Sequence, residues 1–289
     1  HHVHSTRLRQ VDPQNRRGQE GYYSYNDLKQ AYGYPSYQSM IGPPGKQRRL
    51  DGTGTTIAIL ISSDVLDSDV DAMFNAEKFS RYADGHVNPK LYARRYVAGA
   101  KPGVRDDNED EASEAALDVQ MALAGAPGAH VLLYVIPELS HASLIAGYRQ
   151  IVQDNEADVV SSSFGGCELL STKAYNGGAD YTAPLRTMNA IFKQGNAQGM
   201  SFIASSGDSG GLACPDMQYA VDGKDGKYVA GVEHPAADPY VTAVGGGNLR
   251  TRHNKGSLDS SYLSESAYAD PMVARDRFGV GALLSGGYW

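Results

Sequence analysis

The feature that most constrains this chain is a short, continuous apolar run, Thr56–Ile61, bounded by Gly54 and Ser62. A run of this kind is typical of a β-strand that is buried on both faces. After it, segments with strand composition alternate with longer segments of helical character. Because such alternation requires crossover connections, we expect an α/β fold with a mainly parallel sheet and helices on both faces.

The remaining strands and helices are predicted from the same alternation. The predicted strands are Tyr92–Val97, Val131–Val135, Asp158–Ser162, Ser201–Ser205 and Val241–Val244. The predicted helices are a small one beginning at Ser24–Leu28 and longer ones near Val70–Tyr82, Ala112–Ala124, Leu144–Val152 and Leu185–Gln198. Ligands bind at the carboxyl ends of the strands in such folds, so the loops after these strands are where a site is expected.

Composition and charge exclude several classes of function. The net charge is −7, and no long basic run occurs outside the first 17 residues, which argues against nucleic acid as a partner. No stretch approaches the roughly 20 apolar residues of a membrane span, so no membrane partner is expected. Two cysteines, Cys167 and Cys214, exclude a disulfide scaffold but leave open either a single bridge or two free buried thiols.

The domain organisation is predicted to be simple. Residues 1–20 are polar, rich in Arg, Gln and His and without periodicity, and we expect them to form a flexible amino-terminal arm or a processing remnant. No interdomain linker is visible after residue 45, so residues 21–289 are predicted to form one domain.

The first candidate for chemistry is a pair of acids on the predicted helix near Ala112–Ala124. Glu114 and Asp118 are four residues apart, which places both carboxyl groups on one helix face within reach of each other. Acids are common in the first turn of a helix for electrostatic reasons, which could explain Glu114 alone. Asp118 interrupts an apolar stretch and is harder to explain in that way.

Small residues follow three of the predicted strands. One such segment is the glycine-rich loop Ser205–Gly211, in which Asp208 would present a carboxyl group to a ligand. Another is Ser161–Glu168, which could offer backbone groups to an extended peptide. The string Gly-Asp-Ser-Gly-Gly at 207–211 also matches the nucleophile motif of the chymotrypsin family, with Ser209 as nucleophile. That interpretation is rejected, because chymotrypsin-like domains are all-β and need an upstream histidine and aspartate.

Together these segments resemble the sedolisin family of serine-carboxyl peptidases, whose kumamolisin-like and tripeptidyl-peptidase members have a subtilisin-like three-layer fold. The resemblance runs from Asp27-Leu28 through Gly54–Ile59 to Ser285-Gly-Gly at the end. Its most specific parts are Glu114…Asp118, the segment Ser205-Ser-Gly-Asp208-Ser-Gly, and His234-Pro…Pro239-Tyr-Val-Thr-Ala-Val-Gly-Gly. Subtilisin itself would show Asp-Thr-Gly after the first strand and His-Gly-Thr-His on the helix, which this chain lacks.

The resemblance implies a role for each matched residue. Glu114 would be the general base for a nucleophilic serine, and Asp118 would be the carboxyl group that holds it. Asp208 would donate a hydrogen bond to the oxyanion, which requires its protonated form and therefore acid pH. Ser163, Gly165 and Gly166 would bind the substrate strand.

Two departures from the family are visible. Ile61 and Phe164 stand where several members carry an acid and a tryptophan, so the acid pair is expected to lack an extended hydrogen-bond network. The family's nucleophile lies in a Gly-Thr-Ser motif, and these 289 residues contain none. We therefore expect the chain to be the larger part of an incomplete peptidase domain, with the nucleophile on a second chain or a missing segment.

The resemblance implies further properties. Calcium is expected as a cofactor, with ligands beyond Trp289. The protein is expected to act outside the cytoplasm, for example in an acidic compartment, after removal of a signal and pro-segment. Its expected substrates are proteins or peptides. The alternative is a catalytically inactive pseudoprotease that binds peptides in the same groove.

Overall fold

A computed structural model describes residues 23, 25–35, 39–77, 92–104, 109–208, 211, 213–215, 228–229, 231–253 and 260–267. The predicted arm at 1–20, the alternative nucleophile Ser209 and the Ser285-Gly-Gly segment lie outside the described residues. So do residues 78–82 of the helix predicted near Val70–Tyr82.

The described residues form five α-helices and fourteen strands, several of them only two residues long. The helices are α1 (Tyr25–Ala31), α2 (Asp67–Glu77), α3 (Glu109–Gly125), α4 (His141–Asp154) and α5 (Ala183–Ala197). The strands are β1 (Met40–Ile41), β2 (Arg48–Arg49), β3 (Thr56–Ile61), β4 (Tyr92–Tyr96), β5 (His130–Val135), β6 (Val159–Ser162), β7 (Gly166–Cys167), β8 (Ser201–Ser205), β9 (Cys214–Pro215), β10 (Tyr228–Val229), β11 (Glu233–His234), β12 (Val241–Val244), β13 (Gly247–His253) and β14 (Ser260–Ala267).

Six strands form one fully parallel sheet in the order β12-β8-β6-β3-β5-β4. These are the six strands predicted from the sequence, and the α/β prediction is confirmed. The parallel sheet begins at its central strand β3; the chain then adds β4 at the edge, returns to β5 and crosses to β6 on the other side. A change of direction of this kind opens a crevice at the carboxyl ends of the central strands, where ligands bind in α/β folds.

The two faces of β3 contribute to two separate apolar cores. Ala58 and Leu60 pack in a cluster with residues of α4 and α5. Ile59 and Ile61 pack in a second cluster with residues of α2 and α3. Since successive side chains of a strand point to opposite faces, one apolar run supplies both cores, and the sheet is the middle of three layers.

The structure also contains elements that the sequence did not predict. β13 and β14 form an antiparallel hairpin that packs on α1, and Tyr32 Oη donates to Glu265 Oε1 across that contact at 2.8 Å. Short antiparallel pairs, β11 with β7 and β10 with β9, lie beyond the parallel sheet. Cys167 and Cys214 form a disulfide between β7 and β9, which settles the question left open by composition.

Candidate active site

Helix α3 carries the acid pair at the edge of its buried stripe. Ala115, Val119 and Leu123 are fully buried in the core against the sheet. Glu114 and Asp118 lie beside this stripe, one turn apart, and both are half-buried. A crossover helix runs antiparallel to the strands, so the first half of α3 lies at the carboxyl edge of the sheet, where the pair is predicted to act.

Ser163 joins the acid pair to the sheet. It is the first residue after β6, and its Oγ donates a hydrogen bond to Asp118 Oδ1 at 2.6 Å. The same hydroxyl interacts favourably with the carboxylate of Glu114. The structure therefore brings together three of the predicted site residues, from a helix and from the end of a strand.

The pKa values of both acids are raised. Burial, opposed by the Ser163 hydrogen bond and assisted by the charge of Glu114, raises the pKa of Asp118 to about 6. Burial also raises the pKa of Glu114, with a smaller contribution from the charge of Asp208. Asp118 Oδ2 is buried and has no hydrogen-bond partner among the described residues. A proton on Asp118 is consequently favoured at mildly acid pH.

Asp208 lies in the loop that follows β8, near enough to Glu114 for the two charges to interact. It is exposed. Its charge acts on two other acids, since it contributes to the raised pKa of both Glu114 and Glu233. The preceding Gly207 has a φ of 93°, a left-handed conformation that a side chain would strain. The glycine in this loop thus permits the turn that carries Asp208 into the crevice.

Glu233 is a site residue that the sequence analysis missed. A Cβ on Gly165 would collide with Glu233 Oε2, and a Cβ on Gly207 would lie 2.5 Å from Glu233 Cδ. The carboxyl group of Glu233 therefore lies between the substrate-strand segment and the Asp208 loop. The residue stands directly before the matched His234-Pro motif, which was the only signal in the sequence that could have indicated it.

The predicted substrate segment is held by a strand and a disulfide. Gly166 and Cys167 form β7 and pair with His234 and Glu233 of β11. The disulfide then connects β7 to β9, which follows the Asp208 loop in the chain. Gly165 has no side chain that could cover the carboxylate of Glu233.

The two positions at which the chain departs from the family are apolar in the structure as well. Ile61 is buried in the α2–α3 core, and Phe164 packs against Tyr148 with ring centroids 6.3 Å apart. A different acid, Asp64, is buried three residues after Ile61. It accepts from Arg94 Nε at 2.5 Å and from Tyr96 Oη at 2.6 Å, and these bonds hold its pKa below the ordinary value despite burial.

Asp64 fixes a loop at the carboxyl edge instead of extending the acid pair. Its Oδ2 also accepts from the backbone N–H of Gly103 at 3.1 Å. A cleft of about 340 Å³ lies between this loop and the ends of β3 and β5. Asp64 therefore has a structural role in the wall of the crevice.

Among the described residues, no three His, Cys, Asp or Glu side chains are grouped so that they could hold a metal ion. None of the helices described is long and apolar enough to cross a membrane.

Comparison with known proteins identifies relatives of this chain. The sequence profile of the Subtilase family matches residues 100–273. Sedolisin from Pseudomonas sp. (strain 101) is 34% identical over 157 residues, which are 53% of this chain and 24% of that protein. Kumamolisin from Bacillus sp. (strain MN-32) is 31% identical over 232 residues, which are 78% of this chain and 34% of that protein. The aligned part of the chain thus spans about a third or less of the length of these relatives.

A solved structure has the same fold. It is Pseudomonas sedolisin, a serine-carboxyl proteinase complexed with two molecules of pseudo-iodotyrostatin. The TM-score is 0.63 at 24% sequence identity, and the match covers 91% of this chain and 61% of that one. The three-layer architecture expected from the sequence is therefore a subtilisin-like fold.

Proposed function

Because this chain belongs to the subtilase family, in its sedolisin group, we propose that it is the larger part of an acid-acting serine-carboxyl peptidase. The observation that carries the proposal is the meeting of Glu114, Asp118 and Ser163 at the carboxyl edge of the sheet, within reach of the charge of Asp208. Perturbed acids that converge in a crevice at the carboxyl ends of parallel strands are a frequent signature of catalytic sites.

In the proposed mechanism Glu114 acts as the general base. Its carboxylate accepts the proton of the nucleophilic serine as the serine oxygen attacks the peptide carbonyl carbon, and later gives that proton to the leaving amine. An acyl-enzyme remains, and water hydrolyses it by the same route. Asp118 in its protonated form can donate to the Glu114 carboxylate, because its Oδ2 has no other partner among the described residues.

Asp208 would stabilise the charge that develops during attack. A protonated carboxyl group donates a hydrogen bond to the carbonyl oxygen as it becomes negative, and this interaction strengthens toward the transition state. The ionised form would repel that oxygen. The proposed enzyme is therefore expected to act at acid pH, because this step needs a protonated carboxyl group.

The nucleophile is proposed to come from a second chain or from a segment outside these 289 residues. This follows from the absence of Gly-Thr-Ser in the sequence. Calcium belongs to the same proposal. The described residues show no suitable group of ligands, and no step above depends on calcium.

Action outside the cytoplasm is the last part of the proposal. It is supported by the Cys167–Cys214 disulfide, because such bonds persist in oxidising compartments.

Cleavage of a denatured protein tests the proposed function. The native full-length protein, with its nucleophile-bearing polypeptide confirmed by mass, is incubated with substrate at about pH 4 and about pH 7. We expect cleavage at the acid pH and a loss of at least about 100-fold in the Glu114→Gln variant. The matched control is Glu156→Gln, which removes an exposed acid before β6, at the opposite edge of the sheet.

Either of two outcomes would contradict the proposal. One is the absence of cleavage at both pH values when the nucleophile is present, which would favour a peptide-binding module. The other is full activity in Glu114→Gln, which would remove this residue from the mechanism.

A further inference from the structure

The carboxyl group of Glu233 occupies a slot whose walls are two glycines. Gly165 forms one wall and Gly207 the other, and neither could carry a side chain without displacing the carboxyl group. Strand β11 fixes the backbone at this point, with Glu233 opposite Cys167 and its carbonyl oxygen accepting from Ala237 N–H at 2.9 Å. The next residue, His234, has its ring 6.2 Å from that of Phe192, in the core on the other face of the strand.

Glu233 has no partner of opposite charge in the part of the chain that the structure describes. No described side chain donates a hydrogen bond to its carboxylate, and no described Lys, Arg or His forms an ion pair with it. The charged group that acts on it is Asp208, which carries the same sign. A half-buried carboxylate in this position is destabilised unless a cation from outside approaches it.

The position of Asp208 indicates which part of a substrate would reach Glu233. In the proposed mechanism Asp208 donates to the carbonyl oxygen of the scissile bond. The substrate residue that supplies this carbonyl carries its side chain on the Cα that is bonded to the carbonyl carbon. The Glu233 carboxyl group lies between Gly207, which precedes Asp208, and Gly165, which follows Ser163 by two residues, so it is close to the position that such a side chain would take.

We propose that Glu233 determines substrate specificity, by pairing with a lysine or arginine side chain on the acyl side of the scissile bond. The inference rests on the proposed peptidase function and adds its substrate class. The slot supplies the conditions that make such a pair selective. It is partly shielded from water, and its acid has no countercharge among the described residues.

A peptide series tests this inference. Quenched fluorescent peptides differ only at the residue before the scissile bond, which is arginine, its neutral isostere citrulline, or norleucine. For the wild-type protein, kcat/KM of the arginine peptide should exceed that of the citrulline peptide by at least about tenfold. In Glu233→Gln this ratio should fall to near one. Glu156→Gln is again the control and should keep the wild-type ratio.

The ratio should also depend on pH. Burial and the charge of Asp208 raise the pKa of Glu233, so more of it is neutral at about pH 4 than at about pH 6. Among the described residues, the strand paired with β11 adds no charge, since β7 contributes Gly166 and the disulfide-bonded Cys167. On its own strand, burial lowers the pKa of His234, which favours the neutral ring. We expect the preference for arginine to be larger at the higher pH.

A binding measurement separates this inference from the proposed function. Calorimetry compares peptides that end in arginine and in citrulline, with wild type and with Glu233→Gln, and it requires no turnover. Tighter binding of the arginine peptide to wild type, lost in the variant, supports the inference even if nothing is cleaved. Equal binding of the two peptides, or a preference that survives in Glu233→Gln, overturns it whether or not the protein is a peptidase.

Discussion

Asp118 combines burial, a short hydrogen bond from Ser163 and a buried oxygen without a partner in the described part of the chain. Its raised pKa means that the folded protein binds the proton more tightly than the unfolded chain does. The resulting stabilisation is fully present below the ordinary value of 3.8 and is lost as the pH rises through about 6. The site therefore has a cost in stability at neutral pH that it does not have at acid pH.

Asp118→Asn should remove this dependence on pH. From about pH 4 to about pH 7 the free energy of unfolding of the wild type should fall, because Asp118 loses its proton. In the variant this fall should be smaller by about 2 kcal/mol. Urea unfolding at the two pH values measures the difference. Asp71→Asn, which removes an exposed acid of α2, should behave like wild type. If the free energy of unfolding falls as much in Asp118→Asn as in the wild type, the assignment of the raised pKa to this residue is contradicted.

Asp208 can be tested by separating its hydrogen bond from its proton. An asparagine amide donates at any pH, whereas the carboxyl group donates only when protonated. Asp208→Asn should therefore keep activity and extend it toward neutral pH, and Asp208→Ala should lose about 100-fold or more. The profile of kcat against pH for both variants is the measurement. An Asn variant whose profile matches that of the wild type would show that protonation of Asp208 does not limit activity at higher pH.

At the scale of secondary-structure elements, the crevice depends on connections beyond the parallel sheet. β7 and β9 are two residues long, and the disulfide between Cys167 and Cys214 joins them. Gly231 lies so close to Cys214 Sγ that a side chain there would collide with the bridge. These strands form only two-residue pairings. The disulfide is therefore a main connection between the predicted substrate segment and the strand that follows the Asp208 loop.

Loss of the disulfide should destabilise this region strongly. The bridge spans 47 residues of sequence, and closing a loop of that size in the unfolded chain corresponds to about 2–4 kcal/mol. We expect a fall of that order in the free energy of unfolding of the Cys167→Ser, Cys214→Ser double variant, measured by urea unfolding. Adding a reductant should lower the stability of the wild type but leave the double variant unchanged. Equal stability of the two proteins before reduction would contradict the prediction.

At the scale of the whole molecule, β12 is the outer strand of the described sheet on one side. Three of its residues, Thr242, Ala243 and Val244, are exposed, although the strand is apolar in composition. Among the described residues, no strand pairs with its outer side. An exposed strand edge of this kind favours pairing with additional polypeptide.

The proposed second chain is expected beside this edge. Intact mass and a denaturing gel of the native protein, both under reducing conditions, should show either a companion polypeptide that contains Gly-Thr-Ser or one longer polypeptide that includes it. Crosslinking followed by peptide mapping should place that polypeptide near β12. Native material that contains neither would contradict the proposal.

The sequence predicted the large-scale architecture well, because apolar periodicity encodes it. The run Thr56–Ile61 predicted the central strand, and the other five strands of the parallel sheet followed from the same pattern. The hairpin β13–β14 was missed, because its polar residues carry little apolar alternation.

The candidate site was predicted only in part. The spacing of Glu114 and Asp118 is local to one helix and is therefore visible in the sequence. Glu233 reaches the crevice only because β11 pairs with β7, a contact between distant parts of the chain. The disulfide was left open for the same reason.

The disulfide between β7 and β9 also determines how cleavage of a single peptide bond in this protein would appear on a gel. Any one peptide bond between Cys167 and Cys214 could be broken, and the two fragments would stay attached to each other. Such a nick would leave the apparent size on a non-reducing gel nearly unchanged. It would become visible only when a thiol is added, so autolysis within the crevice loops can be scored by comparing the two lanes.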